Sequence, residues 1–154
     1  MENFYYQISI QLVFAVKHRE SLITSSYENE LHSYIGGILL NQKHKPLAIN
    51  SHKDHIHIFF GMYPNCNLSD LVRDIKSDSS TFINSNQLSP LKFHWQEGYG
   101  AFSYSMSHRD NVIRYIRNQE RHHQKKSFKK EYLAMLKRFD VEYQEPYLFD
   151  FFEK

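Results

Sequence analysis

The first 106 residues alternate between the hydrophobic periods of strands and helices, which limits the folds open to the chain. Residues 6–16 carry apolar side chains at every second position, a pattern typical of a strand with one buried face. The segments that follow are a helix ending near Asn41, strands near Leu47–Ser51 and Asp54–Met62, a helix from Asn67, and a strand at Ala101–Met106. This order predicts an α+β fold of the ferredoxin-like, RRM-like split βαβ type, an antiparallel sheet with helices on one face. The other face is expected to be free for a ligand.

Shorter signals refine this outline. Ser25 and Glu28 have the spacing of a capping box before the first helix, and Ser107 and Asp110 are expected to cap a third helix. Residues 93–95 fit a short strand. A last helix is predicted from apolar residues at helical spacing, which are Phe128, Tyr132, Met135 and Phe139.

The length of 154 residues suits one domain. With no repeat and no linker-like segment visible, we expect a single domain over residues 1–154. Its core spans about residues 1–106, and the two later helices, within about 107–154, are an appendage to it.

Composition narrows the class of protein. A single cysteine, Cys66, allows no internal disulfide and no thiolate cluster for zinc, so any metal must be held by other ligands, and the chain has 10 histidines. The N-terminus lacks a signal-peptide pattern, and no stretch reaches the roughly 18 apolar residues of a membrane span. The protein is therefore expected to be soluble and cytoplasmic, with no membrane partner.

The later part of the chain is locally basic although the net charge is only +2. Between Arg114 and Arg138, nine lysines and arginines stand against two acidic residues, Glu120 and Glu131. Two interpretations fit this stretch: a solvated helix face, or a surface that binds nucleic-acid phosphates.

A pair of histidines in the third predicted strand is the first candidate for chemistry. His55 and His57 project from the same face of a strand, while Ile56, Ile58 and Phe60 point into the core. A His-x-His pair is by itself a weak signal, and two structural histidines are one interpretation. Two imidazoles on one face of an apolar run nevertheless need a common partner, which a bound metal supplies.

A tyrosine on the third predicted helix is the second candidate. A spacing of four places Tyr115 and Gln119 on one face, in a polar stripe with Asn111 and His122, while apolar residues occupy the other side. The alternative is a tyrosine half-packed on the sheet with its hydroxyl at the surface.

Together these residues resemble a family over nearly the whole chain. The family is that of HUH endonucleases with a single catalytic tyrosine, specifically the small transposases of insertion sequences that move as single-stranded DNA, including REP-associated tyrosine transposases. The matching motifs are His55-Ile56-His57, the segments Ser69–Lys76 and Trp95–Ser103, and the tyrosine helix Tyr115–His123. One departure is Lys53, where relatives often carry proline, and no ligand depends on it.

The resemblance implies a role for each motif residue. His55 and His57 bind a divalent metal, Mg²⁺ or Mn²⁺, Gln119 completes the protein ligands, and Tyr115 is the nucleophile. Attack by Tyr115 on a DNA phosphate would release a 3′-hydroxyl and leave a 5′-phosphotyrosine intermediate. A second 3′-hydroxyl could reverse the step, so rejoining needs no nucleotide cofactor.

The resemblance also implies partners. Family members recognise a DNA hairpin near the element ends and form homodimers, in which the tyrosine helix of one subunit can act in trans. Candidate phosphate contacts are Lys17, Arg19, Lys43, Lys45, Arg73 and Lys76. The alternatives left open are a non-catalytic module that binds single-stranded nucleic acid and a domesticated nuclease acting on chromosomal repeats. A replication nicking enzyme shares the chemistry but normally belongs to a larger protein.

Overall fold

The centre of the fold is a four-stranded antiparallel sheet. The structure is a computed structural model that describes residues 3–119 and 126–152. The strand order is β2-β3-β1-β4, and the bounds are β1 Ser9–Ala15, β2 Lys45–His52, β3 His55–Gly61 and β4 Gly100–Tyr104. Both central strands, β1 and β3, pair antiparallel with each other and with one edge strand. This is the predicted split βαβ sheet.

The central strand β1 differs from its prediction in one respect. Every residue from Ser9 to Ala15 is buried, although the alternating pattern predicted a strand with one buried face. The polar side chains on the second face are buried because helices that follow β4 in the chain cover that face. Gln11, for instance, is only 1% exposed. Alternation of polarity therefore identified the two faces correctly, but a polar side chain in a strand was not a sign of exposure.

Two helices, α1 (Glu28–Asn41) and α2 (Leu68–Ser85), cover the first face of the sheet. Their buried residues join one core cluster with the apolar side chains of β1 and β3 that point to that face. The predicted end of α1 and start of α2 are confirmed, and Asn67 caps α2 by accepting a hydrogen bond from the Asp70 amide. The capping box of α1 is wrong, since Tyr27 is the N-cap and makes no side-chain cap bond.

Two later helices, α3 (Arg109–Arg117) and α4 (Phe128–Arg138), lie against the second face. Val112 and Ile116 of α3 pack on Ala48 and Phe59 of the sheet. Residues of α4 and of the segment after it join the main core cluster. The expectation that this face is free for a ligand is therefore wrong, because two amphipathic helices bury their apolar sides on it.

Two local predictions also fail around these helices. A short 3₁₀ turn, Met106–His108, precedes α3, so His108 is the N-cap and the Ser107 and Asp110 cap is not formed. Residues 93–95 do not form a strand in the described structure and contribute one isolated bridge, between Trp95 and Val16. The helix predicted from Phe128 is confirmed, with Ser127 accepting a hydrogen bond from the Lys130 amide.

Among the described residues, no helix has the length and apolar character required to cross a bilayer.

Candidate metal and tyrosine site

The two histidines of β3 lie side by side on the second face of the sheet, as their spacing predicts. Both side chains are fully buried, and their ring centroids are 5.2 Å apart. The strand register places His57 opposite Val13 and His55 opposite Ala15 of β1. The alternation of β3 thus positions the pair on the face covered by α3 and α4.

The His55 ring is held from two sides. Its Nδ1 lies 2.7 Å from Oδ1 of Asp54, and its ring stacks on Phe128 of α4 with centroids 3.9 Å apart. Burial opposes the charged form of His55, but hydrogen bonds to Asp54 and Glu131 outweigh it and raise the His55 pKa to about 9. Burial also opposes ionisation of Asp54, yet the hydrogen bond to His55 leaves the Asp54 pKa below its ordinary value. Asp54 and His55 therefore form a hydrogen-bonded ion pair whose ring directs Nε2 away from the aspartate.

The His57 ring is held by the neighbouring strand. Its Nδ1 lies 2.8 Å from Nε2 of Gln11, and the Gln11 oxygen accepts a 2.7 Å hydrogen bond from the hydroxyl of Tyr104 on β4. This chain of three side chains crosses three adjacent strands. As in His55, the remaining nitrogen, Nε2, points toward α4.

Both Nε2 atoms contact the carboxylate of Glu131, which is not among the site residues predicted from the sequence. Oε1 of Glu131 lies 3.0 Å from Nε2 of His57 and 3.3 Å from Nε2 of His55. Glu131 is only 2% exposed. The three residues together offer ligand atoms that lie within 4.8 Å of one another, a donor set of two imidazole nitrogens and one carboxylate oxygen. Such a set suits a divalent cation.

A signal for Glu131 was present in the sequence. It follows Phe128 by three positions and precedes Tyr132 by one, which places a carboxylate on the apolar stripe of an amphipathic helix. An acidic residue on a buried stripe needs a partner, but the many lysines and arginines around Glu131 in the sequence are equally typical of a solvated, charged surface.

The predicted nucleophile and the predicted glutamine ligand converge on the same carboxylate. The Tyr115 hydroxyl donates to Oε2 of Glu131, and Nε2 of Gln119 lies 3.3 Å from that oxygen. Oε1 of Gln119 lies 3.3 Å from Nε2 of His55. Burial is the main cause of the raised pKa of Tyr115, and the charge of Glu131 raises it further.

The prediction for the helix around Tyr115 is only partly realised. Asn50 of β2 donates hydrogen bonds to the carbonyls of Ile116 and Arg117, and α3 ends at Arg117. Gln119 therefore lies beyond the helix that carries Tyr115, and a turn in the chain brings the two side chains together. The rest of the tyrosine motif, residues 120–123, lies outside the described residues, as do Arg121 and Lys125 of the basic stretch.

A cavity of about 420 Å³ opens beside Tyr115 and Glu131. Its wall includes two basic residues, Lys126 and Arg138, and the aromatic ring of Tyr104. The guanidinium of Arg138 lies 5.9 Å from the centre of the Tyr104 ring. The buried site is thus next to an opening that presents positive charge and an aromatic surface.

The six predicted phosphate contacts are not gathered in one patch. Lys17 and Arg19 follow β1 at the end of the sheet that carries His55, whereas Lys45, with Lys43 just before it, starts β2 at the opposite end. Lys17, Lys43 and Lys45 are exposed. Arg19 contacts the carbonyl and the ring of Phe152.

The other two predicted contacts, on α2, already have partners. Lys76 Nζ donates to the carbonyls of Gln96 and Gly98, and burial lowers the Lys76 pKa to about 8. Arg73 pairs with Asp70 and Asp74 on the exposed surface. These contacts favour a structural role for Lys76. Arg73 forms only exposed ion pairs, which contribute little to stability.

Comparison with known proteins places this site in a family. The family model described as "Transposase IS200 like" matches residues 4–119, which include the histidine pair, Tyr115 and Gln119. No curated protein sequence shows a significant match to the chain.

Two solved structures share the fold. One is a protein from Deinococcus radiodurans R1 described as a candidate transposase, with TM-score 0.60, 21% identity, and coverage of 77% of this chain and 95% of that one. The other is a REP-associated tyrosine transposase bound to a REP hairpin, with TM-score 0.58, 16% identity, and coverage of 80% of this chain and 73% of that one.

The family match extends over more than half of the chain and includes the buried histidine pair. The protein therefore belongs to the IS200-like transposases, and its class is that of DNA-cleaving enzymes. The resemblance seen in the sequence and the α+β fold it implied are both confirmed.

Proposed function

We propose that this protein cleaves and rejoins single-stranded DNA at the ends of an insertion sequence, with Tyr115 as the nucleophile and a divalent metal at the histidine pair. One observation carries the proposal: the Tyr115 hydroxyl donates to the same carboxylate that contacts Nε2 of both His55 and His57. A nucleophile and a group of metal donors thus share one buried site beside an open cavity.

The residues that would hold the metal are His55 and His57 through Nε2, with the Gln119 side-chain oxygen as a further ligand. When bound, a divalent cation polarises a phosphate and stabilises negative charge on its oxygens. Mg²⁺ or Mn²⁺ is proposed, because oxygen donors from Gln119 and from the DNA phosphate accompany the imidazoles.

Tyr115 would attack the scissile phosphorus through its phenolic oxygen. The new bond joins phosphorus to Tyr115, the bond from phosphorus to the 3′-oxygen breaks, and the departing oxygen takes up a proton to become a 3′-hydroxyl. Because the Tyr115 pKa is raised, the phenol is protonated at neutral pH, and Oε2 of Glu131, which accepts its hydrogen bond, would take up the phenolic proton as the bond to phosphorus forms. The phosphotyrosine keeps the phosphodiester energy, so a second 3′-hydroxyl can reverse the step.

The DNA partner is proposed to be a strand with a hairpin at the element ends. The similar fold of the REP-associated tyrosine transposase, whose structure contains a REP hairpin, supports this partner. Lys126 and Arg138 at the cavity beside Tyr115 suit the phosphates of the strand being cut. Lys17 and Arg19, at the end of the sheet with His55, are the predicted contacts best placed to extend that path.

A homodimer is proposed as the working unit, from the resemblance. In this structure the histidines and Tyr115 of one chain already lie together, with ring centroids of His57 and Tyr115 6.2 Å apart. A site made of residues from one chain is therefore possible, and it is the alternative to the trans arrangement, in which the tyrosine comes from the partner subunit.

The test is covalent capture of DNA. The protein is incubated with labelled single-stranded hairpin DNA from the ends of its own genomic locus, with Mn²⁺ or with EDTA. Tyr115→Phe removes the nucleophilic oxygen, His57→Ala removes a metal donor, and Tyr147→Phe is the matched control, because Tyr147 is 84% exposed. A protein–DNA adduct is expected for wild type and Tyr147→Phe with Mn²⁺ only.

Either of two results would contradict the proposal. An adduct that persists in Tyr115→Phe would assign the nucleophile elsewhere. Hairpin binding without an adduct on any end sequence, in a protein that binds Mn²⁺, would support the non-catalytic binding module instead.

A further inference from the structure

We propose that Glu131 of α4 is a ligand of the divalent metal, in addition to the two histidines and Gln119. This inference rests on the proposed function for the existence of a metal at the histidine pair. It adds a residue that the family match, which ends at Gln119, does not reach.

The contacts of one oxygen support the assignment. Oε1 of Glu131 lies 3.0 Å from Nε2 of His57 and 3.3 Å from Nε2 of His55. The Nδ1 atoms of the two rings face Asp54 and Gln11, so the Nε2 atoms are the ones left to bind a cation, and Oε1 is directed to both. Three donors of suitable chemistry therefore face one another.

The position of Glu131 is built into the fold. Phe128, one helical turn before it, stacks on the His55 ring. Tyr132, the next residue, packs against Gly100 of β4 so closely that a Cβ there would lie 2.8 Å from the tyrosine ring. Two aromatic contacts thus fix α4 against the sheet on either side of the carboxylate. Glu131 is consequently not a surface side chain that happens to reach the histidines.

The buried charge of Glu131 also supports the assignment. Burying an ionised carboxylate is costly unless positive charge or hydrogen bonds compensate for it. Without metal, the contacts with the imidazoles of His55 and His57 and the hydrogen bonds from Tyr115 and Gln119 provide that compensation. A divalent cation at Nε2 of the two histidines would take over this role.

The second oxygen links the metal site to the nucleophile. Oε2 accepts the hydrogen bond of the Tyr115 hydroxyl while Oε1 faces the histidines. A carboxylate bound in this way would orient the phenol beside the cation. It also adds a hard oxygen donor, which favours Mg²⁺ or Mn²⁺ over the softer metals that two imidazoles alone would select.

The experiment measures Mn²⁺ binding to the DNA-free protein by titration calorimetry and by the loss of the free Mn²⁺ electron-spin signal. Glu131→Ala removes the ligand, and Glu131→Gln keeps the shape and loses the charge. Glu142→Gln is the matched control on the exposed surface. We expect a loss of affinity of about tenfold or more in both Glu131 variants, by comparison with the 10–100-fold effects of disturbing the supports of metal ligands, and none in Glu142→Gln.

A second measurement guards against misfolding. Hydrogen exchange of residues 128–138 is compared with and without Mn²⁺, and metal is expected to slow exchange of α4 in wild type but not in Glu131→Ala. Unfolding curves of the metal-free variants show whether each is folded.

The possible outcomes separate this inference from the proposed function. If Mn²⁺ affinity falls in His57→Ala but is unchanged in folded Glu131→Ala, the ligand assignment is wrong and the proposed function stands. If Glu131→Ala forms more DNA adduct at unchanged Mn²⁺ affinity, the carboxylate competes with the phosphate and the inference is also overturned. If His57→Ala leaves Mn²⁺ affinity unchanged, the metal site of the proposed function is wrong, and the assignment of Glu131 as a ligand is overturned with it.

Discussion

Asp54 holds His55 in one orientation, with Oδ1 of the aspartate 2.7 Å from Nδ1 of the ring. Because the carboxylate accepts a hydrogen bond from this nitrogen, Nδ1 carries the hydrogen, and Nε2 is the nitrogen that would bind a metal. Asp54 lies in the turn between β2 and β3, directly before His55, the first residue of β3, and is only 7% exposed. Asp54 therefore positions the ring of one proposed metal ligand, His55.

The first prediction tests this role of Asp54. Asp54→Asn keeps the size of the side chain but removes the charge that stabilises the Nδ1 proton. Mn²⁺ affinity is expected to fall about 10–100-fold, measured by calorimetry. Asp78→Asn, an exposed position on α2, is the matched control. Equal affinities for the two variants would show that Asp54 has only a local structural role.

The second prediction concerns Gln11, which contacts Nδ1 of His57 and orients that ring, as Asp54 contacts Nδ1 of His55. A metal on Nε2 of His57 requires a proton on Nδ1. Half a turn of the Gln11 amide presents its oxygen to that proton and its nitrogen to the Tyr104 hydroxyl, since both partners already lie within 2.8 Å of the amide. Gln11→Leu removes the hydrogen-bonding partner that Gln11 offers to Nδ1 of His57 and to the Tyr104 hydroxyl, which should cost about 1–3 kcal/mol of stability.

Metal affinity provides the separate test of Gln11. It is expected to fall about tenfold or more in Gln11→Leu, and less in Tyr104→Phe, where the amide still faces His57. Chemical unfolding and Mn²⁺ titration measure the two effects. A Tyr104→Phe variant that binds metal more weakly than Gln11→Leu would rule out this chain of contacts.

The third prediction is a pH dependence of the metal-free protein. The pKa of His55 is raised to about 9 in the folded state, against an ordinary value of 6.5. The stabilisation from its paired, charged form is therefore fully present below about pH 6.5 and is lost as pH rises toward 9. Thermal unfolding in EDTA should show a falling melting temperature over this range for wild type. His55→Asn should lack this component, and parallel curves for the two proteins would contradict the assignment.

Much of the fold followed from the sequence because its signals are local. Alternation over residues 6–16 and the helical stripe of α2 predict their elements from side-chain period alone. The capping predictions at Ser25 and Ser107 were wrong, because short polar residues also suit the turns that precede a helix, and here a tyrosine and a histidine are the N-caps.

The site was predictable only in part, for a reason that its geometry makes plain. The face shared by His55 and His57 follows from strand alternation, and the motif around Tyr115 led to the family. Glu131 comes from a helix 74 residues beyond His57, and only the packing of α4 on the second face brings them together. The helical spacing placed Glu131 on the apolar stripe of its helix, but because the second face of the sheet was expected to be free, the sequence did not show which residues this carboxylate would meet.

The last prediction decides which chain supplies the tyrosine. Tyr115→Phe retains the histidines and His57→Ala retains the tyrosine, so neither homodimer contains a complete site. If the tyrosine acts within its own chain, as the 6.2 Å separation of the His57 and Tyr115 rings suggests, a mixture of the two variants also contains no complete site. In the trans arrangement, mixed dimers would restore one site of the two.

The two variants are therefore co-expressed with different affinity tags, and mixed dimers are purified through both. Adduct formation on hairpin DNA with Mn²⁺ is compared with that of doubly tagged wild type. We expect no adduct above the level of either variant alone. Restoration of about half the wild-type yield would establish the trans arrangement, and the contacts of Tyr115 with His57 and Glu131 would then describe a resting state. Failure to recover any doubly tagged wild type would instead show a monomer, in which only the arrangement within one chain is possible.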